Sequence, residues 1–417
     1  MTKSELRVST PTTTAEPAEG LTIERLRTIV QDSHLNFLIG AGTSSPYFEQ
    51  LGDIENVLTE VGEYSPDRPE ANLVRASLQG YFFEKVILPN LPLLERSPGA
   101  RPLLKSYARF VNTINRILLK RRSTLLGKQA SIFTTNVDLA FEVALEMLEI
   151  DANDGFSGKL NPRLDLGEYG TLRMRQGAHY QYRSEIPVIN LFRIHGSAAW
   201  KQEGADIFFD HQLSSVRQVE EVFNAARAGG SFLSITKPED VKTSDLMASA
   251  SGKVLGRAGE TFAGAYERLS IANPEKTKFA TTVLNKTYYE LIRRLANELE
   301  KENSTLIVHG FSFRDEHLRD LVLRAARSNP TLQVIVFCYS RDAREEMRAL
   351  FPEEQVKNAN ILLVAPHEPK EGEDERKLAI DVVVDDYLVA LLAESPAAAD
   401  HVIELKLSES SEISGDD

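Results

Sequence analysis

Six short apolar runs, at 36–39, 130–133, 188–194, 305–308, 332–337 and 361–364, punctuate this chain, and helical periodicity fills much of the space between them. Each run is apolar nearly throughout instead of alternating with polar residues. That pattern suits strands covered on both faces, the condition of a parallel sheet with helices packed on either side. The helical patterns at 103–119, 139–148, 287–301, 316–327 and 382–392 supply the covering layers. The expected fold class is therefore α/β, a doubly wound, Rossmann-like parallel sheet.

Two stretches break the simple βα spacing. Residues 48–122 are mostly helical by pattern and contain no good strand, so a helical layer or lid beside the first glycine loop is expected there. Residues 200–282 mix Phe208-Phe209, a helix-like run at 216–226, the segment 231–235 and a Gly/Ser/Lys-rich stretch from 236 to 259. A mobile insertion, ordered by a ligand or partner, is expected. Residues 1–20, with Thr10-Pro11-Thr12-Thr13-Thr14 and Glu16-Pro17, bury too little apolar area to offset ordering entropy and read as a disordered leader. From 394 to 417 the composition turns to Ser, Asp and Glu, a solvated acidic tail in which 401–407 can pair as one short edge strand. The body of the protein is thus expected at 21–393.

Charge and cysteine count remove whole classes of function. Acidic residues outnumber basic ones 61 to 48, a formal net charge of −13, which opposes the phosphate neutralisation that dominates nucleic-acid affinity. Direct nucleic-acid binding is not expected. The single cysteine, Cys338, excludes intrachain disulfides and any multi-cysteine zinc site, and no metal is expected. No signal peptide and no apolar run of membrane-spanning length is present, so a soluble cytoplasmic protein without a membrane partner is expected.

Three of the apolar runs end in residues suited to chemistry. The first enters Gly40-Ala41-Gly42-Thr43-Ser44, where missing Cβ atoms let backbone amides approach a phosphate; a tight structural turn needs the same glycines. Its third expected glycine is replaced by Ser45, and no strand ending in Asp or Glu follows about 20 residues on, which argues against a dehydrogenase. The second run enters Thr134-Thr135-Asn136-Val137-Asp138, an amide and a carboxylate at the edge where open α/β sheets bind ligands. Capping of the helix beginning near Leu139 is the competing role for Asp138 or Asn136. The third run ends at Ile194-His195-Gly196-Ser197, an imidazole that can serve as a general base beside a glycine that admits substrate. A fourth segment, Gly310-Phe311-Ser312-Phe313-Arg314-Asp315, follows the run at 305–308. Helix capping by Ser312 or Asp315 and an exposed Arg314–Asp315 pair account for much of it.

Taken in order, these four segments resemble the sirtuin fold and, more narrowly, the sirtuin-like effectors of prokaryotic antiphage defence. The resemblance spans about 21–339, and the ordered set is far more specific than any one motif. It implies NAD as substrate. Gly40, Ala41, Gly42, Thr43 and Ser44, with Thr135, would hold the phosphates and adjoining ribose, and Gly310 and Ser312 would close the adenosine side. Asn136 and His195 would face the nicotinamide ribose, with Asp138 orienting Asn136. Two departures matter. The four-cysteine zinc module of deacylating sirtuins is absent, and Ser45-Pro46-Tyr47-Phe48-Glu49-Gln50 carries no arginine where those enzymes have a Pro, Asp, Phe and Arg loop. The expectation is therefore an NAD glycohydrolase that uses water as acceptor and depletes NAD in defence. An NAD-dependent deacylase and a non-catalytic NAD or ADP-ribose scaffold are the alternatives. The resemblance further implies a homo-oligomer and regulation by a partner, a HerA-type ATPase.

Overall fold

The computed structural model describes residues 21–50, 54–64, 68–121, 125–178, 182–235, 241–271, 283–352, 354, 356–369 and 372–393. The expectations for the leader at 1–20, the tail at 394–417 with its 401–407 strand, and residues 236–240 and 272–282 of the insertion lie outside these residues.

Seven strands form one sheet: β1 (His34–Ile39), β2 (Gln129–Thr134), β3 (Ala152–Asn153), β4 (Val188–Arg193), β5 (Ser304–His309), β6 (Gln333–Phe337) and β7 (Ile361–Val364). Their order is β7-β6-β5-β1-β2-β4-β3, and every pairing is parallel. The fold is α/β, with a central parallel sheet flanked by helices in a Rossmann-like, doubly wound arrangement. The strand side chains alternate between two apolar layers with the expected period of two. Leu35, Phe37 and Ile39 of β1 and Ile335 and Phe337 of β6 enter one core, while Leu38, Val334 and Val336 enter the other. Both faces are apolar because both are covered, which is why the six longer strands read as continuous apolar runs. β3, only two residues long, left no such run.

On one face lie the helices Ile23–Gln31, Arg101–Lys120 and Ala140–Met147, with the helical segment that starts at Ile380–Val383. On the other lie Val283–Glu300, Glu316–Ser328 and Arg341–Leu350. The described residues within 48–122 are mostly helical, through Ile54–Gly62, Pro69–Phe82, Asn90–Leu94 and Arg101–Lys120. Within 200–282, Ser214–Ala228 and Arg257–Tyr266 send Val216, Phe223, Phe262 and Tyr266 into the first core. Thr243–Ala250 packs Leu246 and Ala250 against Ile54–Gly62 and Pro69–Phe82 in a third, smaller cluster. Among the described residues no helix is long and apolar enough to cross a membrane.

Candidate functional site

Ile39 lies opposite both Thr134 and His309, and Thr134 lies opposite Arg193, so β5, β1, β2 and β4 end in register side by side. Sheet hydrogen bonding then continues into the loops. Gly40 N donates to His309 O at 3.0 Å, Thr135 N to Ile39 O at 3.3 Å, and Ile194 N to Thr134 O at 2.9 Å. The four segments, up to 270 residues apart in sequence, thus emerge from one carboxyl edge. That edge includes the point between β1 and β5 where the winding reverses, the usual ligand crevice of an open α/β sheet.

The glycine loop is a 3-10 turn, Ala41–Thr43, and its glycines have a neighbour that the sequence did not reveal. A Cβ on Gly40 would lie 2.4 Å from Gly310 O, and one on Gly42 would lie 3.1 Å from Gly310 Cα. Gly310 itself has φ +65° and would drive a Cβ to 2.3 Å from Thr43 N. The three glycines therefore let two backbones interlock, sealed by Gly42 N donating to Gly310 O at 2.9 Å. The amides of Thr43 and Ser44 are also taken, by Gly40 O and Ala41 O. The Ala41 amide, first in its turn, has no carbonyl of that turn to bond and sits at an exposed residue, the best placed of the five to meet an anion. Thr43 turns inward: its Oγ1 lies 2.8 Å from His309 Nδ1, and His309 Nε2 lies 3.1 Å from Leu378 O. A carbonyl only accepts, so Nε2 carries the proton and Nδ1 accepts from Thr43. Burial holds His309 far below its ordinary pKa, at about 4.

Ser44, 1% exposed, is the hub of a buried network. Its Oγ lies 2.6 Å from Tyr107 Oη, 2.8 Å from Asp138 Oδ2 and 3.1 Å from Asn136 Nδ2. One hydroxyl has one proton and two lone pairs. An ionised Asp138 can only accept, so the proton goes to it, and Tyr107 and Asn136 donate to the lone pairs. Burial, then the charge of Asp138, pushes the Tyr107 phenol far above its ordinary pKa and keeps it a donor. Ser44 has no valence left for a ligand. The same arrangement turns Asn136 so that its amide nitrogen faces inward. Its Oδ1 is buried and has no hydrogen-bond partner among the described residues. Asp138 Oδ1 also accepts from Ala140 N at 3.0 Å, tying this loop to the start of the helix Ala140–Met147, whose N-cap position is Leu139.

Arg193, 2% exposed, holds this loop from below. Its Nη1 donates to Asn136 O at 3.0 Å, its Nε to Glu142 Oε1 at 2.9 Å, and its Nη2 pairs with Glu142 Oε2. With these three bonds the guanidinium acts as a structural clamp on the Asn136 backbone.

His195 lies on the half-open side, its side chain 29% exposed, with Nε2 3.4 Å from Asp315 Oδ2. Asp315 is the N-cap of the helix Glu316–Ser328: Oδ1 accepts from His317 N at 3.0 Å and Leu318 N at 3.2 Å. Desolvation pushes this carboxyl up, but the contact with the His195 imidazole and the bond from the Leu318 amide outweigh it and hold Asp315 below its usual value. Among the described ion pairs, Asp315 meets His195. Gly196, at φ +80°, would place a Cβ 2.7 Å from Ser270 O, so its glycine serves a close backbone approach behind His195.

The structure thus gathers Asn136, Asp138 and Ser44 in one network and sets His195 at the end of the next strand but one from β1. Thr135 is half-buried at the rim, and Ser312 is exposed on the loop after β5. Sequence reasoning missed Tyr107, Arg193, Glu142 and His309. Arg193 alone left a trace, a charge closing an otherwise apolar strand. Chemically, the edge offers an acceptor without a partner among the described residues, an imidazole with a carboxylate behind it, and one open amide. No protein-family model matches this sequence, and no curated protein matches it either.

Proposed function

We propose that this chain cleaves the nicotinamide–ribose bond of NAD with water as acceptor, a sirtuin-like NAD glycohydrolase. The observation that carries the reading is the buried Asn136 Oδ1, an acceptor at the carboxyl edge of β2 with no partner among the described residues. A buried acceptor left without a partner costs about 1–3 kcal/mol, which a donor brought by a ligand would recover. A ribose hydroxyl or the attacking water would supply that donor once substrate binding shifts the loop enough to uncover the atom.

In this reading the dinucleotide lies along the edge from β5 to β4, its phosphates near the Ala41 amide and its nicotinamide ribose over Asn136 and His195. The C1′–N bond breaks toward an oxocarbenium-like sugar, and nicotinamide leaves as a neutral ring. Water forms the new C1′–O bond, and its proton passes to the His195 imidazole. The Asp315 carboxylate, 3.4 Å from His195 Nε2, would favour the imidazolium that forms as the base takes this proton. By the resemblance alone, the proposal extends to NAD depletion as an antiphage response, to self-assembly, and to restraint by a HerA-type ATPase.

Incubation of the full chain with NAD, alone and with such an ATPase, followed by chromatographic product analysis, tests the reading. Nicotinamide and ADP-ribose in equal amounts are expected, and Asn136→Ala or His195→Ala should lower the rate on the order of 100-fold or more. Turnover that appears only on adding an acyl-lysine peptide would indicate the deacylase. Tight NAD binding without turnover under any condition would indicate a scaffold.

A further inference from the structure

His195 and Asp315 meet although β1 and β2 stand between the strands that carry them. Three strand spacings amount to roughly 14 Å, so the loop after β5 and these two side chains have to arch over the ends of β1 and β2 to meet. Helix capping alone does not ask for that reach, since any Asp, Asn or Ser caps from its own position. The carboxylate is also held at both ends. One oxygen takes the amides of His317 and Leu318, and the other is left for the imidazole.

We infer that Asp315 is a positioning residue for the reaction proposed above: it holds the proton of neutral His195 on Nε2 and leaves Nδ1 as the nitrogen that accepts a proton. A carboxylate accepts and does not donate, so an imidazole facing it presents N–H on that side. The 3.4 Å separation is long for a hydrogen bond, and contacts of this kind tighten when substrate fills a site. With the tautomer set, the lone pair of Nδ1 points away from Asp315 and takes the proton of the water or ribose hydroxyl, while the proton on Nε2 stays in place.

The helix cap makes the test sharp. In Asp315→Asn the cap still needs an acceptor, so the amide oxygen must face His317 N and Leu318 N. The amide nitrogen is then forced into the position of Oδ2, where it donates to Nε2 and drives the imidazole proton to Nδ1. The closest isostere should therefore be the worst substitution. Asp315→Ser keeps a cap but is too short to reach His195, so it releases the tautomer without inverting it.

The inference rests on the NAD reading only for its activity arm. Nitrogen-15 spectra of the full chain, with the His195 signals assigned by their loss in His195→Gln, report the tautomer without substrate. The wild type should show protonated Nε2 and bare Nδ1, Asp315→Asn the reverse, and Asp315→Ser a mixture. NAD hydrolysis should fall on the order of 100-fold in kcat for Asp315→Asn and about 10-fold for Asp315→Ser, with KM little changed in both. A melting temperature within a few degrees of wild type for both would show that the cap survives. The inference is overturned if Asp315→Asn keeps the wild-type tautomer, or if it hydrolyses NAD at least as fast as Asp315→Ser. If the tautomers invert as described but the wild type never consumes NAD, the positioning stands and the NAD reading fails.

Discussion

A single serine decides how Asn136 faces the crevice. Ser44 Oγ satisfies Asp138, Asn136 and Tyr107 at once, so its removal strands three buried polar groups. Ser44→Ala should destabilise the fold by about 2–4 kcal/mol, whereas Tyr107→Phe, which removes one donor and keeps the ring packing, should cost only about 1 kcal/mol. Urea unfolding of both variants checks this, and equal losses would mean that Ser44 is not the hub. Asn136, Asp138 and His195 were legible as candidates because amides, carboxylates and imidazoles at strand ends are chemically conspicuous. Their partners were not. Tyr107 sits on the buried face of the helix Arg101–Lys120, where an aromatic residue looks like any other core residue. Glu142, in the first turn of its helix, looks like ordinary dipole compensation. Only proximity in space distinguishes them.

Among the elements, the turn Ala41–Thr43 and the segment that follows β5 behave as one unit. The glycines read from the sequence as phosphate-approach residues are required first by each other. Gly310→Ala puts a side chain at φ +65° and against Thr43 N, and Gly40→Ala places a Cβ on a carbonyl oxygen that cannot move alone. Each should destabilise by about 1–3 kcal/mol or more even without ligand, with Gly42→Ala the mildest, because its contact at 3.1 Å needs a shift of only a few tenths of an ångström. Thermal unfolding without nucleotide measures this. Unchanged melting temperatures, with only ligand affinity lost, would return the glycines to a purely ligand-binding role. The strands β1, β2, β4, β5, β6 and β7 were legible to within two residues at their ends, since a short, continuously apolar run bounded by polar residues fits a strand covered on both faces. Helix Ile23–Gln31 and helix Arg341–Leu350 were not, although each shows a clear capping residue, Thr22 and Ser340, once its place is known.

For the molecule as a whole, His309 ties β5, the glycine turn through Thr43, and the segment at Leu378 into one acid-sensitive joint. Burial lowers its folded pKa from 6.5 to about 4, with the Leu378 carbonyl and Asp381 opposing that shift. Between those values the unfolded chain binds a proton that the folded chain refuses. The stability this group contributes is therefore whole above about pH 6.5 and lost as pH falls toward 4, a change of about 3 kcal/mol. Urea midpoints across pH 4–8 should fall more steeply for the wild type than for His309→Gln, and parallel curves would refute the assignment. The depressed Asp315 carboxyl adds a loss of the same sign at lower pH. By itself the sequence determined the fold class and the residue types at the strand ends, because burial on both sheet faces writes itself as apolar runs and strand ends admit polar residues. The tertiary structure alone decided which of those residues meet. Strand order brought four loops to one edge, and the direction of each hydrogen bond followed from the count of protons and lone pairs among neighbours far apart in the chain.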